Sequence, residues 1–143
     1  MNNKMKVNFL SISQNESFSR NVIASFVLEL NPTVSELNDI KTAVSEAVTN
    51  ALVHGYPDSV GEIEMQAEIL ENELHIKIID SGVGIENLDM ALEPYYSSKF
   101  EDERSGMGFT IMKAFMDEVK VSSNVNQGTV VYMLKRLSCI ESK

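Results

Sequence analysis

The chain has 143 residues, 43% of them hydrophobic, and a formal net charge of −9. That length favours a single domain over residues 1–143, and the apolar fraction excludes wholesale disorder. The acidic balance is a poor match to a phosphate backbone, so direct nucleic-acid binding is set aside.

No apolar run approaches the roughly 18 residues of a bilayer span, and the start "MNNKMKVNFL" lacks the apolar core of a signal peptide. We therefore expect no membrane association. Cys139, the lone cysteine, can form no intrachain disulfide and reads as the reduced thiol of a cytoplasmic protein.

Residues 4–12, "KMKVNFLSI", alternate Met5, Val7 and Phe9 as a strand does. Over 16–30, Phe18, Val22, Ile23, Phe26, Val27 and Leu30 fall on one face of a helix, which Asn31-Pro32 should end. "TVSE" at 33–36 has the form of a capping box. The second helix buries Leu37, Ile40, Val44, Ala47, Val48 and Ala51, with Gly55 as its stop.

Ile63, Met65, Ala67 and Ile69 alternate over 61–70, and Leu74, Ile76 and Ile78 over 73–80. The short link at Glu71-Asn72 predicts an antiparallel hairpin. Residues 81–105 read as a long functional loop. A third helix begins near Gly106–Gly108 and buries Phe109, Met112, Phe115, Met116 and Val119. "EVKVSS" and "GTVVYMLKRL" then close the sheet around a turn at "NVNQG". One buried face per strand predicts a sheet with three helices on one side, an α+β two-layer sandwich.

Three polar clusters interrupt this apolar pattern. In "EAVTNALVHGY" (46–56), Glu46, Asn50 and His54 stand four residues apart. Four residues of α-helix turn the chain only about 40° past a full turn, so the three form one stripe. Alone, the stripe is compatible with a solvated helix face, and it lacks the spacing of a zinc site.

In "IIDSGVGI" (78–85), an apolar strand ends in Asp80, and Gly82 and Gly84 follow at once. This is a turn that also lets backbone approach a ligand, and it is not a dinucleotide fingerprint. In "RSGMGF" (104–109), two glycines open a helix, where free N–H groups favour an anion. Alone, this too is an ordinary loop and cap. No phosphate loop of the G-x-x-x-x-G-K-[ST] type occurs.

In this order, the three clusters resemble the nucleotide site of the GHKL superfamily (gyrase, Hsp90, histidine kinases and MutL), with its Bergerat-type ATP fold. The Asn50 helix resembles the N box, "DSGVG" and "SGMGF" the two glycine boxes, "EPYYSSK" (93–99) the aromatic segment between them, and "GT" (128–129) the late Gly-Thr pair. "SEAVTNALVHGY" in a chain of 143 residues, with no room for a dimerisation helix pair, is similar to the small serine-protein kinases that act as anti-sigma factors.

That resemblance implies ATP and Mg²⁺ as cofactors. Asn50 would be the protein ligand of the metal, and Glu46 would orient the attacking hydroxyl or accept its proton. His54 would be structural or phosphate-facing. Asp80 would accept from the adenine 6-amino group, with Thr129 completing the contact and Gly82 and Gly84 letting the chain pass close to the base. Ser105, Gly106, Met107 and Gly108 would meet the phosphates, with Lys99 or Arg104 at the γ-phosphate.

The resemblance further implies a sporulation sigma factor held in an ATP-dependent way, phosphorylation of a serine on an anti-anti-sigma protein, and a homodimer. Arg20 and Glu16 would contact both protein partners. A stress-type kinase of another sigma factor and an ATP-gated binding module with little kinase activity remain as alternatives.

Overall fold

The computed structural model describes residues 2–85 and 108–138. Five strands form one fully antiparallel sheet in the order β1-β2-β3-β5-β4: β1 Asn3–Leu10, β2 Glu62–Leu70, β3 Glu73–Asp80, β4 Glu118–Asn124 and β5 Gly128–Arg136. Among the described residues three α-helices accompany it: α1 Gln14–Val27, α2 Val34–Asn50 and α3 Gly108–Phe115. The expected α+β two-layer sandwich is the observed architecture.

Alternation explains the layers. Met65, Ile76, Ile78, Val131 and Met133 project from one face of the sheet into a core shared with Ile23, Val27, Ile40, Val44, Val48 and Met112 of the helices. The opposite face carries polar side chains, among them Lys6, Gln66, Lys77 and Tyr132, which are cross-strand neighbours along one row.

Helix α2 starts as its sequence predicts. The Glu36 N–H donates to Thr33 Oγ1 at 3.0 Å, and the Thr33 N–H donates to Glu36 Oε1 at 2.9 Å. Such a cap contributes on the order of 1 kcal/mol. Upstream, α1 passes through a 3₁₀ turn at Leu28–Leu30, and Asn31 then takes a left-handed φ of 50°, a conformation asparagine tolerates.

Several expectations need correction. Phe18 is 43% exposed rather than buried; it meets Phe9 edge-on with ring centroids 6.0 Å apart at the margin of the apolar arc. Ser19 is buried instead, because its hydroxyl donates to the Glu16 carbonyl at 2.7 Å and so satisfies itself locally. Phe115 is 37% exposed: the helix ends there, and Met116 takes the core position. Val119 lies on β4 and is only partly buried.

The largest departure is at the end of α2. Beyond Asn50 the helix widens into a π turn over Ala51–Gly55, closed by the Tyr56 N–H donating to the Ala51 carbonyl at 3.0 Å. Gly55 is the stop, as expected, but the last turn is not α-helical. The greater part of the 81–105 loop lies outside the described residues.

Candidate functional site

The candidate site gathers at the end of the sheet where β3 stops and β5 begins. Asp80, the last residue of β3, pairs with Ile63 on one side and Thr129 on the other. Thr129 in turn pairs with Ser123 of β4. Residues directly opposite on neighbouring strands share a face, so Asp80, Thr129 and Ser123 form one row on the helix side of the sheet.

Asp80 is only 7% exposed. Burial pushes its carboxyl above the ordinary aspartate value, and backbone N–H groups of Gly82 and Thr129 pull the other way by favouring the charged form. The Gly82 N–H bond to Asp80 Oδ1 is 2.9 Å long. A buried carboxylate held by two backbone donors keeps a fixed direction, which recognition of a base edge requires.

The π turn is packed against this carboxylate. A β-carbon on Gly55 would lie 2.9 Å from Asp80 Oδ1, and one on Gly82 only 2.0 Å from the Gly55 carbonyl oxygen. The Val83 N–H donates to that same carbonyl at 2.9 Å. Two bare backbones thus cross in contact, and only glycine fits at the crossing.

Glu46, one turn before Asn50, is only 5% exposed, so it is not part of a solvated face. Asn50 is half-buried at the junction of α2 and the π turn. Its carboxamide faces the start of α3: a β-carbon on Gly108 would lie 3.0 Å from Nδ2 and 3.1 Å from Oδ1. His54 is half-buried within the π turn.

The described residues therefore bring together Glu46, Asn50, Gly108, Asp80, Gly82 and Thr129 from four separated segments. Gly84 lies in the turn after Gly82, against the Asn124 carbonyl. Lys99, Arg104, Ser105, Gly106 and Met107 lie outside the described residues, as do 93–99.

Glu16 and Arg20 sit on α1, away from Asp80, as an i,i+4 ion pair with Arg20 Nε 2.6 Å from Glu16 Oε2. The Arg20 side chain is 40% exposed. Glu16 also accepts from Ser45 Oγ at 2.7 Å, and Ser45 precedes Glu46 on α2.

Two contributors escaped the sequence reading. The Tyr56 hydroxyl donates to the Glu62 carbonyl at 2.7 Å and accepts from the Ser81 N–H at 2.8 Å, pinning the residue after Asp80. The Ser123 hydroxyl meets both Thr129 and the first glycine turn. Only the tyrosine's place directly after the helix-stopping glycine hinted at its role.

Asn50 offers a hard carboxamide oxygen of the kind Mg²⁺ prefers. Among those residues no cluster of three or more His, Cys, Asp or Glu is placed to hold a metal ion. A metal here would have to share its coordination with a ligand and water, which is how Mg²⁺ is held beside phosphates.

Comparison with known proteins agrees with this arrangement. Residues 16–135 match the family described as "Histidine kinase-like ATPase domain". The chain is 52% identical over 134 residues to the "Anti-sigma F factor" of Caldanaerobacter subterraneus subsp. tengcongensis, covering 94% of each chain. It is 50% identical over 141 residues to the protein of that name from Clostridium acetobutylicum, covering 99% of each. With that of Clostridium kluyveri it shares 54% over 133 residues, covering 93% of this chain and 94% of the other.

Among solved structures, one of the RsbU and RsbW domains of Rv1364c from Mycobacterium tuberculosis aligns with a TM-score of 0.67 at 20% identity. The alignment takes in 94% of this chain but only 32% of that longer one. The catalytic domain of histidine kinase ThkA aligns with a TM-score of 0.57 at 14% identity, covering 93% and 96%. At such identities the two structures speak for the fold alone. Among the described residues no helix is long and apolar enough to cross a membrane.

Proposed function

This chain belongs to the histidine kinase-like ATPase family, and from that membership we propose that it is an ATP-dependent anti-sigma factor that is also a protein-serine kinase. The observation that carries the reading is its identity, about half of all residues over nearly full length, with proteins named Anti-sigma F factor. Its partners in this reading are a sporulation sigma factor and an anti-anti-sigma protein that is phosphorylated on serine. The protein acts in the cytoplasm as a homodimer, with residues 1–143 as one domain.

The site chemistry supports an adenine nucleotide. Asp80 offers acceptor oxygens to an amino group and repels a carbonyl at the same place. The Gly55–Gly82 crossing leaves backbone, not side chain, beside the base. In this reading Gly108, with Ser105, Gly106 and Met107, meets the phosphates, and Lys99 or Arg104 serves the γ-phosphate. When bound, Mg²⁺ supplies positive charge that neutralises phosphate oxygens.

Asn50 would hold the metal through its carboxamide oxygen. Glu46, buried one turn away, orients the attacking serine hydroxyl and accepts its proton. Phosphoryl transfer depends on positioning and charge more than on a strong base, so a single well-placed carboxylate is enough. His54 keeps a structural or phosphate-facing place in the π turn. Glu16 and Arg20 form the surface that meets both protein partners.

Incubation with γ-labelled ATP and a candidate antagonist tests the reading. Label on an antagonist serine, with a sigma factor retained by the protein only when ATP is present, is the expected result. ATP binding without transfer would reduce the protein to an ATP-gated binding module.

A further inference from the structure

Ser123 lies at the centre of three contacts that fix where protons point at the end of the sheet. Its Oγ is 2.8 Å from the Ile85 amide nitrogen, 3.0 Å from the Gly128 carbonyl oxygen and 2.8 Å from Thr129 Oγ1. A hydroxyl has one proton and two lone pairs. The Ile85 N–H can only donate, so it takes one lone pair. The Gly128 carbonyl can only accept, so it takes the proton. One lone pair remains for Thr129, and the Thr129 hydroxyl must therefore be the donor to Ser123.

The consequence falls on Thr129. With its proton committed to Ser123, its hydroxyl has only lone pairs left to present elsewhere. Thr129 is the direct cross-strand neighbour of Asp80, and its own backbone N–H already serves the Asp80 carboxylate. A threonine hydroxyl beside a carboxylate would ordinarily donate to it. Here that proton is drawn to the far side, so Asp80 and Thr129 stand together as acceptors.

We propose that Ser123 is a positioning residue that determines base specificity: by taking the Thr129 proton it makes this edge of the site acceptor-only. Such an edge demands a donor, as the 6-amino group of adenine is, directly or through a water that donates to both. It rejects a 6-oxo base, whose oxygen would meet lone pairs. The inference rests on the reading of Asp80 and Thr129 as the adenine end of the site. It adds a residue on a third strand that never needs to touch the nucleotide.

The test compares the affinities of Mg·ATP and Mg·inosine triphosphate for the full chain by calorimetry. Inosine carries an oxygen where adenine carries the 6-amino group. Ser123→Ala releases the Thr129 hydroxyl to rotate and donate. The ratio of ATP to inosine triphosphate affinity should fall by roughly 3- to 10-fold, the scale of one net hydrogen bond. Ser123→Thr, which keeps the hydroxyl, should restore the wild-type ratio. Thr129→Val should lower the ratio too, and adding Ser123→Ala to it should change the ratio no further.

An unchanged ratio in Ser123→Ala, with both affinities equal to wild type or lowered together, overturns the proposal. If Ser123→Ala fails to fold, a wild-type ratio in Thr129→Val overturns it equally. Asp80→Asn separates the two levels. If Asp80→Asn also leaves the ratio unchanged, the adenine assignment falls; if it alters the ratio while Ser123→Ala does not, only the role of Ser123 falls.

Discussion

Gly55 packs its bare α-carbon directly against Asp80: a β-carbon on Gly55 would lie 2.9 to 3.1 Å from the carboxylate atoms of Asp80, too close to fit without displacement. The π turn and the end of β3 are thereby fixed against each other. Gly55→Ala must push the carboxylate off its backbone donors or open the π turn. We predict a loss of ATP affinity of at least about tenfold and a stability loss of about 1–3 kcal/mol. Calorimetric titration beside a thermal melt checks both. Wild-type ATP affinity would mean that Asp80 can swing aside at no cost to binding.

Glu46→Gln keeps shape and most polarity but removes the basic oxygen. ATP binding should persist, while transfer to the antagonist serine should slow by about 10²–10⁴-fold. Single-turnover phosphorylation with saturating ATP measures this. Near-normal turnover would leave Glu46 as a buried structural carboxylate.

Asn50→Ala should weaken Mg·ATP binding while leaving the apo protein as stable as before or slightly more so, since alanine favours a helix interior. A melt of the apo protein and a titration with and without Mg²⁺ separate the effects. A markedly earlier melt would show that the carboxamide serves the packing at Gly108 instead.

For Asp80 the expected pH dependence follows from its burial. The folded chain holds the proton more tightly than the unfolded chain, because desolvation raises this carboxyl. Its stability contribution is therefore greatest below the unfolded value and is lost as pH rises through the raised folded value. Adenine binding runs the other way, since protonation turns one acceptor oxygen into a donor. ATP affinity should fall as pH drops through the raised value, and Asp80→Asn should flatten that profile. Titrations at a series of acidic pH values would show it; an identical slope in Asp80→Asn would assign the effect to another group.

Arg20→Glu should leave folding and ATP affinity intact and weaken binding to both the sigma factor and the antagonist. The change replaces a half-buried ion pair with Glu16 by two facing carboxylates. Removing an interface arginine of the hot-spot kind costs on the order of 2 kcal/mol or more, and reversing its charge adds repulsion. Binding assays with each purified partner, run beside an ATP titration, decide the matter. Undiminished affinity for both partners would place the interface elsewhere.

The parts of the fold legible in the sequence are those governed by local rules. Met65 and Ile76 lie on alternating strands whose period is two, and both are buried as the alternation requires. Thr33 and Glu36 cap α2 within four residues of each other. Phe18 and Phe115 depart from their period because each stands at the margin of an apolar arc, Phe18 meeting Phe9 edge-on and Phe115 closing its helix. The π turn at Ala51–Gly55 was invisible because a 3.6-residue period presumes α geometry, and the widening is set by packing against Asp80 and Gly82. Ser123 gave no signal either: Ile85 is 38 residues away in the chain, and no local pattern announces a bond of that span.

The order of the sheet has a consequence for how the molecule assembles in time. Strands β2 and β3 are joined by two residues, and β4 and β5 by three, so each hairpin can form locally. Joining β3 to β5 must instead close the chain over residues 81–127, at a greater entropic cost. Asp80 belongs to the first hairpin, Thr129 and Ser123 to the second. In the proposed reading, a nucleotide seated there would grip both sides of that seam, and its hold would exist only after the two halves have met. It acts on the lifetime of the assembled molecule and leaves the speed of assembly nearly untouched, because contacts absent from the transition state slow unfolding alone.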